Sequence, residues 1–204
     1  FGVLMALAKL KDKRVLESVI GGIVASEPAM LEMASEALSG YGKKAVRRLT
    51  ALAKDRDDTV RRNTLTTLAG MKGDEALKAL TALVTAEQTR EQTLEALESV
   101  KGPVAARVLT EMSLGPPSEL RDQALGSLVT MGPSAVQGLV VESLDRGAQF
   151  STRVLDALTR TQQPEVRNAL VEVVLAGGDQ KGASEVQGAL AAHGRAGVEA
   201  VLDV

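Results

Sequence analysis

The sequence predicts an all-α fold, a solenoid of about seven stacked two-helix repeats of about 30 residues each. Three observations predict it. A leucine recurs as an anchor near the end of a first helix, at Leu7, Leu38, Leu68, Leu97, Leu128, Leu158 and Leu190, with intervals of 31, 30, 29, 31, 30 and 32 residues. After each anchor comes a turn and then a second apolar run. Aromatic residues make up only 1% of the chain, so the core is built from Leu, Val, Ala, Met and Ile, which suit closely approaching helices. A hairpin of two such short helices cannot enclose its own apolar stripe. Neighbouring hairpins have to cover it, which is the physical reason for a stack.

The elements follow in chain order. The first repeat turns at "KLKDK" and runs on as "RVLESVIGGI"; the second turns at "SGYGKK" before "AVRRLTAL". The third, residues 55–84, shows the grammar most fully. Val60, Leu65 and Leu68 fall at helical spacing, with Thr64 among them. Gly70 and Gly73 break the helix, and Ala76, Leu77, Leu80, Leu83 and Val84 restart the pattern. Asp57 or Asp58 is expected to cap the first helix and Asp74 the second. The fourth repeat turns at "ESVKGP" before "VAARVLTEM", and the fifth at "VTMGPS" before "AVQGLVVESL". The sixth turns at "TRTQQP" before "EVRNALVEVV", and the seventh at "AAHGRA" before "AGVEAVLDV". Pro103, Pro133 and Pro164 are placed at or near the starts of second helices, where a missing N–H costs little. No segment reads as a strand.

Two glycine-rich stretches need a reading. "IGGIVASEP" (20–28) reads as a helix end and "GGDQKGAS" (177–184) as a flexible loop between repeats. The turn "SLGPPSEL" (113–120) is the best linker between two bundles, but the period runs through it, so residues 1–204 are read as a single repeat domain. The chain opens on Phe1 and ends in "VEAVLDV", both reading as cut from inside apolar helices. A fragment of a longer protein is expected, with any leader or membrane domain outside this segment left open.

Composition narrows the function classes. There is no cysteine, which removes disulfides and thiolate metal sites and fits a reducing compartment; the cytoplasm is the expected location. The formal charge is −2 and the pI near 5.6, so net charge gives no pull toward nucleic acid or anionic lipid. No apolar run approaches the roughly 18 residues that a bilayer span needs.

Residues 55–84 join an acidic turn, "VRR", an Ala/Leu-rich helix, a glycine turn and "EAL..L..L". This pattern resembles the short HEAT-like repeat, the type also found in phycobilin lyases. "ELRDQALGSLVTMGPSAVQGLV" (119–140) and "TREQTLEALESVKGPVAARVL" (89–109) keep the frame, while repeats one, six and seven fit it more loosely. The resemblance implies that first helices line a convex side and second helices a concave side, in a stack of roughly 60–70 Å. It concerns the scaffold, and no chromophore-lyase activity is carried over with it.

Charge marks two rows. Arg61, Arg90 and Arg121 stand seven residues before their anchors. In similar repeats this arginine pairs with the acidic turn and ties neighbours together, a structural ladder for which Asp55, Asp57 and Asp58 are available; the other reading is an anion-binding row. The second row stands two residues before the central leucine of each second helix: Arg47, Lys78, Arg107, Gln137, Asn168 and, less regularly, Glu199. Helical period turns this row away from the apolar stripe. The expected surface is basic early, polar in the middle and acidic at the end. It is either a solvated face or a groove for an extended acidic segment or an acidic helix. Residues 1–102 carry 16 basic and 14 acidic side chains, net +2; residues 103–204 carry 8 and 12, net −4.

The densest basic run is "KKAVRRLTALAKDRDDTVRR" (43–62), eight basic against three acidic residues. It is the basis for an alternative, nucleic-acid binding through this patch. Single-strand binders add stacking aromatics, and only Tyr41 is near. HEAT-like DNA glycosylases, similar in scaffold, use aromatic and acidic residues in a basic groove, and this chain has no Trp.

Enzyme readings find little. The one histidine, His193, lies in a turn. It cannot supply the several His–Glu pairs that a di-iron hydroxylase of the HEAT-like type uses, and it has no signposted triad partner. No P-loop or HExxH is present. No cofactor and no metal are expected. The reading is a non-catalytic protein-interaction scaffold that presents its second-helix surface to a partner protein. Arg47, Arg48, Lys78 and Arg107 are the expected contacts, with Gln137 and Asn168 continuing the row.

Overall fold

The computed structural model describes residues 13–23, 28–161, 163–175 and 180–192. Among them are twelve α-helices and no strand. In chain order they are α1 (Lys13–Ile23), α2 (Pro28–Ser39), α3 (Lys43–Leu52), α4 (Asp58–Gly70), α5 (Asp74–Thr85), α6 (Arg90–Val100), α7 (Pro103–Ser113), α8 (Glu119–Met131), α9 (Pro133–Asp145), α10 (Ala148–Thr161), α11 (Pro164–Leu175) and α12 (Gln180–Ala192). The fold is an all-α solenoid of helix pairs. Even-numbered helices are the first helices of their repeats and odd-numbered ones the second.

The helix boundaries follow from local chemistry. Asp57 caps α4: its carboxylate accepts from the backbone N–H groups of Thr59 (2.8 Å) and Val60 (3.2 Å). Asp74 is not the cap of α5. Gly73 holds that position at φ 105°, a conformation that a side chain resists, and Asp74 lies one residue later, in the first turn, where it faces the positive end of the helix dipole. Pro103, Pro133 and Pro164 open α7, α9 and α11. The glycine-rich stretch 177–184, expected to be a flexible loop, is helical from Gln180 onward. Buried Val186, Ala189 and Leu190 give α12 an apolar stripe, and α12 packs on α10 and α11, so packing outweighs the low helix propensity of Gly182. Residues 177–179 lie outside the described residues, as do Leu7, His193 and Glu199.

The chain divides into two compact units, residues 1–108 and 109–204, with the division inside α7. In the first unit α2 packs on α4 and α4 on α6, forming a first-helix layer, while α3 packs on α5 in a second-helix layer. In the second unit α10 packs on α12 in one layer and α9 on α11 in the other. The anchors fill these layers. Leu38, Leu68, Leu97, Leu128, Leu158 and Leu190 are all buried, and so are the central second-helix leucines Leu49, Leu80, Leu109, Leu139 and Leu170. Each such burial contributes roughly 1.5–3 kcal/mol.

Side-chain bonds between neighbouring repeats follow the same period. Ser35 Oγ shares its one proton between the carbonyls of Leu31 (2.7 Å) and Thr67 (2.8 Å), which fastens α2 to α4. The Lys72 N–H donates to Ser39 Oγ at 2.9 Å, and Ser151 Oγ donates to Glu185, joining α10 to α12. These contacts between repeats span 32 to 34 residues, one repeat length. Gly70 permits the tight approach at α2. A methyl there would stand 2.7 Å from Ser35 Oγ and 3.0 Å from Ser35 Cβ.

Candidate functional site: two rows of cations

The three arginines of the first-helix row are held by protein groups. Arg61, on α4, is 24% exposed at its side chain. Its Nη1 donates to the carbonyls of Asp55 (2.8 Å) and Arg56 (2.9 Å), its Nη2 to Asp58 Oδ1 (2.6 Å), and its Nε to Gln92 Oε1 on α6 (3.0 Å). Gln92 Nε2 donates in turn to Asp58 Oδ1 at 2.6 Å, closing a ring of three side chains between α4 and α6. Arg62 also uses Asp58, at 2.9 Å. Arg90 donates to the Thr85 carbonyl at 3.4 Å, and its Nε is buried without a hydrogen-bond partner. Arg121 is only 12% exposed and pairs with the adjacent Asp122 at 2.6 Å. Ser118 caps its helix through the Arg121 N–H. Equal offsets therefore carry three different pairings.

The second-helix row differs. Arg47 on α3 and Lys78 on α5 are exposed, and neither side chain has a hydrogen-bond or ion-pair partner. The same is true of Lys43 and Lys44, one turn earlier on α3, and of Lys54 just past its end. Helical period puts Lys43, Lys44 and Arg47 on one face of α3, opposite buried Leu49. Arg107 on α7 is exposed and touches Asp74 of α5 loosely, at 3.5 Å. Further along, Gln137 on α9 is half-buried and Asn168 on α11 exposed. Among the described residues no exposed large apolar side chain lies on the second-helix layer of the first unit; in the second unit Val141 of α9 and Leu175 of α11 are 45% and 48% exposed.

Arg48 does not share the freedom of Arg47. Its Nε and Nη2 donate to the two carboxylate oxygens of Glu17 on α1, at 3.1 and 2.8 Å. That fork raises the Arg48 pKa above its already high ordinary value, through the hydrogen bond first and the Glu17 charge second. Glu17 lies two residues before buried Val19, the offset that Arg47 holds before Leu49, so among the described residues the row begins with an acid. The sequence reading missed Glu17. The signal available was its separation of 31 from Arg48, one repeat.

The basic run 43–62 is divided by the fold. Lys43, Lys44, Arg47 and Arg48 belong to α3, in the second-helix layer, and Arg61 and Arg62 to α4, in the first, where Asp58 binds both. Among the described residues no group of three or more His, Asp or Glu side chains is placed to hold a metal ion. In the second unit a cleft of about 240 Å³ opens between α10 and α12, lined by Thr152, Leu155, Asp156, Thr159, Glu185 and Gly188. No described helix is long and apolar enough to cross a membrane.

Residues 46–129 match the family of HEAT repeats. No curated protein matches the chain. Among solved structures, it is similar to the complex of CpcE and CpcF of phycocyanin lyase from a Nostoc species, with 24% identity, covering 91% of this chain and 79% of that one at a TM-score of 0.33. It is similar to human deoxyhypusine hydroxylase, with 17% identity, 94% and 78% coverage and a TM-score of 0.32. A computationally designed armadillo repeat protein shows 14% identity, 93% and 98% coverage and a TM-score of 0.32. At such scores the fold rests on the repeat match and on the stacked pairs themselves. The chain is built on a HEAT-like repeat scaffold.

Proposed function

We propose that this chain is a non-catalytic protein-interaction scaffold that presents its second-helix surface to a partner protein. HEAT-like repeats generally mediate protein interaction, and stacked repeats create extended binding surfaces. The observation that supports the surface is the set of exposed, unpaired cations Lys43, Lys44, Arg47 and Lys78 on packed neighbours α3 and α5. Arg107 adds a loosely held charge, while Arg48 contributes less because Glu17 already occupies it. In the second unit, Gln137 and Asn168 hold the same register as uncharged hydrogen-bonding groups. The mechanism is rigid display: buried Leu49 and Leu80 fix the helices, so little ordering cost falls on this side of the complex. The lack of cysteine suits work in the reducing cytoplasm.

Affinity capture from native lysate, quantified by mass spectrometry, tests this reading. The triple variant Arg47→Glu, Lys78→Glu, Arg107→Glu is expected to lose the partner while its helicity by circular dichroism stays unchanged. Equal recovery by wild type and variant contradicts it. The competing reading, nucleic-acid binding through residues 43–62, predicts tight, salt-steep binding of DNA or RNA instead. The engagement of Arg61 and Arg62 by Asp58 weighs against it.

A further inference from the structure

We propose that the second-helix face of the first unit takes an extended acidic protein segment with a carboxylate at every third residue, running across α3, α5 and the start of α7. The inference rests on the scaffold reading above and names the chemistry of its partner. Arg47, Lys78 and Arg107 hold one register, each two residues before a buried leucine: Leu49, Leu80 and Leu109. α3 packs on α5, and Arg107 of α7 reaches Asp74 of α5; packed helices lie about 8–10 Å apart, so Arg47 and Lys78, in one register, stand at about that distance, with Arg107 next in the series. An extended chain advances about 3.3–3.6 Å per residue, so its every third side chain recurs at about 10 Å. The two periods agree.

A helical partner fits less well. A helix in a groove lays an apolar face into an apolar surface. The large exposed apolar side chains described for the first unit, Met30 and Met33, are on α2, in the other layer. The second-helix face offers Ala51 and Ala82 beside its cations. It can neutralise carboxylates and has little to bury a hydrophobic stripe.

The three positions are not equivalent. Asp74 lies 3.5 Å from Arg107 and offsets its charge, whereas Arg47 and Lys78 form no ion pair. Lys43 and Lys44 reinforce the α3 end. The acid opposite α3 and the acid opposite α5 therefore contribute most, and the acid opposite α7 least.

Fluorescence anisotropy with the whole chain tests the register. Three labelled probes of about a dozen units are compared: a peptide with aspartate at every third position, a peptide of identical composition with its aspartates in one block, and an oligothymidylate. The spaced peptide is expected to bind about tenfold or more tightly than the block peptide. Lys78→Glu is expected to weaken it about tenfold, and Arg107→Glu about threefold. Equal affinity for the two peptides overturns the register, and tighter binding of the oligonucleotide overturns the partner class. If the peptides fail but lysate capture still depends on Arg47, Lys78 and Arg107, the register is wrong and the scaffold reading stands. If capture is insensitive to them as well, both are wrong.

Discussion

The two helix layers of the first unit use their cations differently. On α4, Arg61 is enclosed by two backbone carbonyls, Asp58 and Gln92. On α3 and α5, the side chains of Arg47 and Lys78 are exposed and make no hydrogen bond or ion pair. Both kinds of position recur with the repeat, yet one fastens neighbouring repeats and the other leaves charge available. Exposure alone does not make the distinction, because Arg48 is 56% exposed and still forked to Glu17. What separates them is whether the repeat supplies an acid within reach. A guanidinium that already has its carboxylate gains little from a partner's. An unpaired one on a face that carries several like charges gains more.

The contrast can be broken at the fastened layer first. Arg61→Ala removes hydrogen bonds to two carbonyls and two side chains and leaves Asp58 with less compensation, so we expect a loss of about 2 kcal/mol, read by urea unfolding. A loss below a few tenths would put Arg61 in the same class as Arg47. Gly70→Ala comes next. The new methyl meets Ser35, whose hydroxyl is committed to Leu31 and Thr67, so rotation away from the clash breaks a buried hydrogen bond. A cost of about 1–2 kcal/mol follows, measured the same way.

A double-mutant cycle on Glu17→Ala and Arg48→Ala sharpens the intermediate case. The pair is exposed on both sides, so a coupling weaker than either change above is expected, shrinking as salt rises. The smallest effect is on the free cations. Arg47→Ala and Lys78→Ala should each leave stability within about 0.5 kcal/mol of wild type.

The scaffold was legible in the sequence because a repeat is a one-dimensional signal. Anchors spaced 29 to 32 residues apart stay visible whatever the side-chain rotamers do, and the leucines so marked are buried wherever they are described. Caps and pairings were less legible, for a physical reason. Asp57, Asp58 and Asp74 all have the composition of a cap, but only backbone geometry decides that Gly73 rather than Asp74 precedes α5. Likewise Arg47 and Arg48 are adjacent and chemically identical. The 100° turn between neighbouring helical residues points one toward Glu17 of α1 and leaves the other unpartnered. Residues 180–184 read as loop in the sequence because the three glycines of 177–184 mask the buried stripe that follows them.

One paired measurement bears most directly on the division between fastening and free cations: unfolding free energy and spaced-aspartate peptide affinity, both determined for Arg61→Ala and Lys78→Glu. The account predicts opposite outcomes, with Arg61→Ala losing about 2 kcal/mol of stability and keeping its affinity, and Lys78→Glu keeping its stability and losing affinity about tenfold. A Lys78→Glu chain that binds the peptide as wild type does would contradict it.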